Sequence, residues 1–220
     1  MVAGGEFQHT GILNVPPSVL TSGVSILKSK PEILRNAITR NITEMIEKNN
    51  KPEDAKLEPL QKYQHPGAEY DQLFEADYEH VERTDPPNPV LQTLQNNEDD
   101  PEYPCSHCDE ERMVPRRPRR KRDPVIHYGT IASADVVMRH GETREKLRQK
   151  YGILCFEMEA GGLMNHFPCL VIRGICDYSD THKHKTWQPY AAATAAAYAK
   201  ELLGTVQRAE AIEPRSEESE

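Results

Sequence analysis

Residues 153–180 read ILCFEMEAGGLMNHFPCLVIRGICDYSD. Two apolar runs, ILCF and CLVIRGIC, flank a small-residue segment, AGGLMNHF, and the stretch predicts strand, short helix, strand. Acidic residues fall at corresponding places: Glu157 and Glu159 late in the first strand, Asp177 and Asp180 late in the second. In a parallel sheet, ligands bind in the crevice beyond the carboxyl ends of the strands. The stretch therefore marks the candidate site.

Working outward, residues 125–133, VIHYGTIAS, form a β-branched and aromatic run that predicts a strand. Glu142 to Lys150 has strong helix formers, with Glu142 and Lys146 at i, i+4 and Tyr151-Gly152 closing the helix. Trp187, Ala191, Thr194, Tyr198 and Leu202 share one helical stripe, and Gly204 predicts its end. Residues 124–204 thus alternate strand and helix three times. Such alternation implies an α/β fold, a mainly parallel or mixed sheet flanked by helices. Two further helices precede it: one begins at Pro16-Pro17-Ser18, and one begins at Pro31 with Leu34, Ile38, Ile42 and Met45 on one face.

Between these parts, residues 49–123 form a polar insertion with aromatic anchors at Tyr63, Tyr70, Phe74 and Tyr78. Docking through those aromatics is expected over full disorder, with residues 84–104 as a flexible loop. Cys105-Ser106-His107-Cys108 has the spacing of half a zinc site, with His80, His107 and His127 as nearby candidates. No second C-x-x-C exists, so the default is a pair of solvated loop thiols and no metal. The basic run at 116–122 matches a nuclear-import or nucleic-acid patch, but Glu98, Asp99, Asp100, Glu102, Asp109, Glu110 and Glu111 lie just before it. A self-complementary, solvated insertion is the default there.

Of the 220 residues, 37% are hydrophobic and 17 are prolines, poor material for one long core. The formal charge of −8 argues against nucleic-acid binding, which displaces counterions with a basic face. No run of roughly 20 apolar residues offers a membrane span, and the start has no signal-peptide pattern, so a cytoplasmic protein is expected, with the nucleus as the alternative that the basic run raises. Five cysteines without an export signal read as reduced thiols. Residues 207–220 are expected to form a disordered acidic tail.

The acidic strand ends carry the chemistry. Glu157 and Glu159 face one way along a strand and Met158 the other, and Ala160-Gly161-Gly162 leaves the turn without bulk. A carboxylate there can accept two hydroxyl hydrogen bonds from a vicinal diol, as in a ribose. Asp177, at the end of a strand buried on both faces, is expected to have its pKa raised by desolvation and so to hold a proton in reserve as a general acid, provided no cation neutralises it. The alternative is that Glu159, Asp177 and Asp180 cap helices or pair with Arg173, Lys183 and Lys185. Cys155, Cys169 and Cys176 read as core residues.

FEMEAGGLMNHFPCLVIRGICDYSD resembles the nucleoside phosphorylase and nucleosidase superfamily, in the version found in large multidomain fungal proteins. GGEFQHTGILNVPPSVL, YQHPGAEYDQLFEADY, VIHYGTIASADVVM and KTWQPYAAATAAAYAKELL extend the similarity over most of residues 4–204. The resemblance implies a nucleoside phosphorylase-like domain over 1–206 that cleaves the N-glycosidic bond of purine nucleosides. It implies that Glu159 binds the ribose hydroxyls, Met158 lines the sugar pocket beside Glu157, and Asp177 protonates or hydrogen-bonds the purine N7. Ala134 to Met138, including Val137, would sit near the base. Phosphate is the co-substrate in the phosphorylase branch, and no other cofactor is implied. The family's first strands, with a glutamate that activates water and a Gly-rich phosphate turn, have no counterpart here. The domain is therefore expected to be incomplete at its N-terminus, with an open sheet edge for a second copy or another partner to cover. The alternative function is a noncatalytic nucleoside-sensing or interaction domain of a larger regulatory protein.

Overall fold

A computed structural model of the chain describes residues 7, 9–49, 60–82, 105–118 and 123–212. Helix α1 (Ser18–Lys28) and helix α2 (Pro31–Asn49) form where the proline starts and apolar spacing predict them. On α2, Leu34, Ile38, Ile42 and Ile46 recur every four residues and are all buried, Ile38 completely. Their partner is the long C-terminal helix α5 (Gln188–Ile212), which presents Ala193, Ala197, Tyr198 and Leu202 to the same core. Each fully buried aliphatic side chain contributes about 1.5–3 kcal/mol, so this three-helix layer carries much of the apolar stabilisation. Its packing is close. A Cβ at Gly23 of α1 would lie 2.8 Å from Leu202 Cδ1. Asn41 adds a polar link by donating to Glu201 Oε1 at 2.8 Å.

The α/β character resides in one parallel pair. Strand β1 (Thr130–Ser133) and strand β2 (Ile153–Glu157) are joined through helix α3 (Gly141–Tyr151), the parallel crossover the alternation predicts. Helix α3 starts on His140, whose Nδ1 accepts from the Thr143 N–H at 3.2 Å. It ends at Gly152 in the left-handed region (φ 66°), where the backbone needs a residue without a Cβ penalty. Ser133 lies opposite Glu157 in the register, and a bulge near Thr130 absorbs one extra residue of β2. Helix α4 (Ala160–Leu163) is a single turn.

Three sequence expectations need correction. The strand expected over 125–133 is limited to Thr130–Ser133. The strand expected at VIRGIC joins no ladder among the described residues. Leu170 and Ile172 pack on the helical core, while Ile175 is 50% exposed, so this segment is covered on one side rather than both. Gly174 lies against the Ala191 carbonyl of α5 with no room for a Cβ. Finally, α5 continues past Gly204 to Ile212, so the first residues of the tail expected to be disordered over 207–220 are helical, and 213–220 lie outside the described residues. The glycine costs the helix about 1 kcal/mol, and burial of Thr205 and packing of Val206 on the core offset it.

The described parts of the insertion dock as expected through aromatics. Phe74 and Met113 form an antiparallel bridge, closed on either side by Val114 N–H to the Leu73 carbonyl (2.8 Å) and Glu75 N–H to the Arg112 carbonyl (2.9 Å). Phe74 is buried and stacks on His182 at 4.2 Å. Trp187 Nε1 donates to the Tyr70 carbonyl at 2.9 Å, tying the unit to the start of α5. Arg116 pairs with Asp71 at 3.0 Å. The loop expected at 84–104 and the basic residues Arg119 to Arg122 lie outside the described residues. Cys105 and Cys108 are buried, contrary to the expectation of solvated thiols. A turn closed by Cys108 N–H to the Cys105 carbonyl (3.1 Å) folds both under Phe74.

Candidate functional site

A cleft opens at the carboxyl ends of β1 and β2. Val137 and Met138 from the loop after β1, Glu157 and Met158 from the end of β2, and Asp177 from the segment after Ile175 all line it. Three chain segments thus converge where a parallel sheet places ligands. Met138 is buried, whereas Val137 and Met158 are partly exposed, which gives the cleft apolar walls that a flat ring can contact.

Glu157 lies at its floor and is almost wholly buried. Its Oε2 accepts from the backbone N–H groups of Glu159 (2.7 Å) and Ala160 (2.8 Å), which fixes the turn from β2 into α4. Burial, which pushes a carboxyl up, is outweighed by the Ser133 hydroxyl and those two N–H groups, so Glu157 stays below the ordinary carboxylate value. Its Oε1 is buried without a hydrogen-bond partner among the described residues. An orphan anionic oxygen is costly in a folded protein and favours an incoming donor.

Glu159 stands elsewhere. It follows the last strand residue, so the strand alternation that put it beside Glu157 stops short of it. Its side chain is exposed, accepts from the Met158 N–H at 3.2 Å, and pairs with Arg173 at 3.3 Å. Arg173 itself lines the cleft, so Glu159 reaches the site at its rim through that cation.

Asp177 sits in the cleft, but not alone. Its Oδ2 lies 3.1 Å from Lys183 Nζ, and its Oδ1 accepts from the Ser179 N–H at 2.9 Å. Ser179 has φ 56°, the one left-handed non-glycine among the described residues, and this turn wraps the carboxylate. The expectation of an acid in reserve required that no cation neutralise Asp177, and Lys183 removes that condition. Asp180 does not enter the cleft. It is buried beside Arg144 (3.4 Å) and His182, and these contacts outweigh the upward push of burial to hold it below its ordinary value.

Cys155 and Cys176 also line the cleft. Burial raises both thiols, and burial together with the Asp177 charge pushes Cys176 up to about 11. Neutral thiols are poor nucleophiles, so the cysteines serve as walls. On the residues alone, sequence reasoning favoured capping or pairing of the acidic residues with Arg173, Lys183 and Lys185, and the Glu159–Arg173 and Asp177–Lys183 pairs are present. It passed over Ser133 and Ser179, which support the carboxylates. It also passed over His182 and His184, whose H-x-H spacing directly after Asp180 was the available signal.

No helix among the described residues is long and apolar enough to cross a membrane. The chain is 37% identical over 199 residues to a nucleotide-binding leucine-rich repeat (NLR)-like protein of Hyaloscypha variabilis, and the match covers 90% of this chain but 17% of that protein. The chain is therefore homologous to one segment of a much longer fungal NLR-like protein, whose name does not point to a nucleoside phosphorylase. No family model and no solved structure matches the chain.

Proposed function

We propose that the chain is a nucleoside-binding module of a larger regulatory protein, which holds a purine nucleoside in the cleft without cleaving it. The unpartnered Oε1 of Glu157 at the floor of a cleft with apolar walls carries this reading: it accepts a hydroxyl of the sugar, and Val137, Met138 and Met158 contact the ring. Glu159, at the rim beside Arg173, adds a second acceptor for the sugar hydroxyls. Asp177, already paired with Lys183, acts as a charged acceptor for an N–H of the base rather than as a proton donor to a leaving group. The long relative supports a regulatory context over a free-standing enzyme.

Titration calorimetry of the 220-residue chain with adenosine and inosine, paired with chromatography for free base with and without phosphate, tests the proposal. Saturable binding without base release is expected. Asp177→Asn removes a hydrogen bond to a charged group, worth about 1.5–3 kcal/mol, and weakens binding roughly ten- to hundredfold. Absence of binding overturns the module. Base release above that of Asp177→Asn restores the cleavage reading in its place.

A further inference from the structure

We propose that His80, Cys105, Cys108 and His182 form a structural zinc site that fastens the insertion to the body of the protein. The inference is independent of the nucleoside reading, because none of these residues lines the cleft. His80 Nδ1 lies 3.3 Å from Cys108 Sγ and 3.9 Å from Cys105 Sγ, and the three ligand atoms all fall within 4.8 Å of one another. A tetrahedral zinc ion, bound at about 2.3 Å to sulfur and about 2.0 Å to nitrogen, separates its ligands by roughly 3.3–3.8 Å. The observed spacings are close to those edges. His107 and His127, the other histidines that sequence spacing offered, are exposed and outside the cluster.

A second observation comes from His182. Its side chain is 3% exposed, and both ring nitrogens are buried without a hydrogen-bond partner. Buried imidazole nitrogens are normally paired, and two orphans on one ring call for a partner. The ring stands edge-on to His80, with centroids 5.5 Å apart, and is clamped between Phe74 and Tyr78. Asp180 Oδ1 is 3.7 Å from His182 Nδ1. A carboxylate beside one ring nitrogen, accepting a hydrogen bond from its N–H after a small shift, leaves the other nitrogen for a metal, the usual arrangement behind a zinc-bound histidine. His182 lies outside the group of three ligand atoms, so its ring has to move toward them for two thiolates and two imidazoles to complete a closed, buried set of the structural kind.

The consequence is mechanical. The ligands come from the first described part of the insertion, from its C-x-x-C turn, and from the loop between Asp177 and α5, so one ion joins three segments. The test is reconstitution of the reduced 220-residue chain with zinc, removal of excess metal, and elemental analysis. One zinc per chain is expected, with an X-ray absorption first shell of two sulfurs and two nitrogens. Cys108→Ser should lose most of the metal, His182→Ala should replace one nitrogen by a light solvent atom, and His107→Ala should leave both readouts unchanged. The absorption measurement on the unmodified chain keeps the test decisive if a variant fails to fold. A metal-free chain, a Cys105–Cys108 disulfide under the same reducing conditions, a shell with fewer than two sulfurs, or a first shell untouched by His182→Ala and altered by His184→Ala each overturns the assignment.

Discussion

The helical layer and the docked insertion solve the same problem with different materials. Between α1, α2 and α5, Leu34, Ile38, Ile42 and Leu202 are buried against one another, and area removed from water does the work. In the insertion the buried cluster is Phe74 with Cys105 and Cys108, supplemented by Tyr78 and Met113. Around it lie directional contacts: Arg112 bridges Glu75 and Asp77, and Arg116 reaches Asp71. Exposed ion pairs contribute little, typically below about 1 kcal/mol each. A region with so little apolar area depends on the few buried groups it has, whereas the helical layer spreads its stability over many.

That contrast can be broken most directly at Phe74. Phe74→Ala is expected to cost about 3–5 kcal/mol and to strip hydrogen-exchange protection from 70–82 and 105–114 while α2 and α5 keep theirs. Equal loss in both places would make the two regions one cooperative unit. Ile38→Ala is expected to cost about 2–4 kcal/mol, read by denaturant midpoint, and to lower protection throughout the helical layer. Glu157→Gln weakens two charge-assisted hydrogen bonds at the turn into α4 and should cost about 1–3 kcal/mol at neutral pH. Because the folded carboxyl titrates below its ordinary value, its stabilisation is complete above about pH 4.3 and is lost as pH falls through the folded value. The variant should therefore show a flatter acid limb in a stability-versus-pH curve, and an unchanged limb would remove Glu157 as a charged cap. Arg173→Met breaks an exposed pair with Glu159 and should shift the thermal midpoint by no more than about 0.5 kcal/mol equivalent.

The helices were legible because a proline start and a four-residue apolar repeat are local signals, as Pro31 with Leu34, Ile38 and Ile42 shows. The crossover from β1 to β2 was legible for the same reason, through Gly152 and the flanking apolar runs. VIRGIC misled because periodicity reports which side chains seek burial and says nothing of whether a ladder partner exists. Val137, Met138, Glu157, Met158 and Asp177 line one cleft; strand-end position marked the acidic residues, whereas the resemblance alone grouped Val137, Met138 and Met158 with them. The Asp177–Lys183 pair depends on a left-handed turn at Ser179, a conformation that the residue type does not announce. The Cys/His cluster was half legible: the C-x-x-C was visible, but His80 and His182 reach it only through tertiary docking.

That meeting also has a use in engineering. His80 and Cys105, 25 residues apart in sequence, are held within 3.9 Å of each other. With both ends of the intervening chain anchored, its length becomes a cheap variable, since each doubling of a closed loop adds only about 0.6 kcal/mol of closure entropy. A tag or reporter domain spliced between those anchors should therefore add little closure entropy.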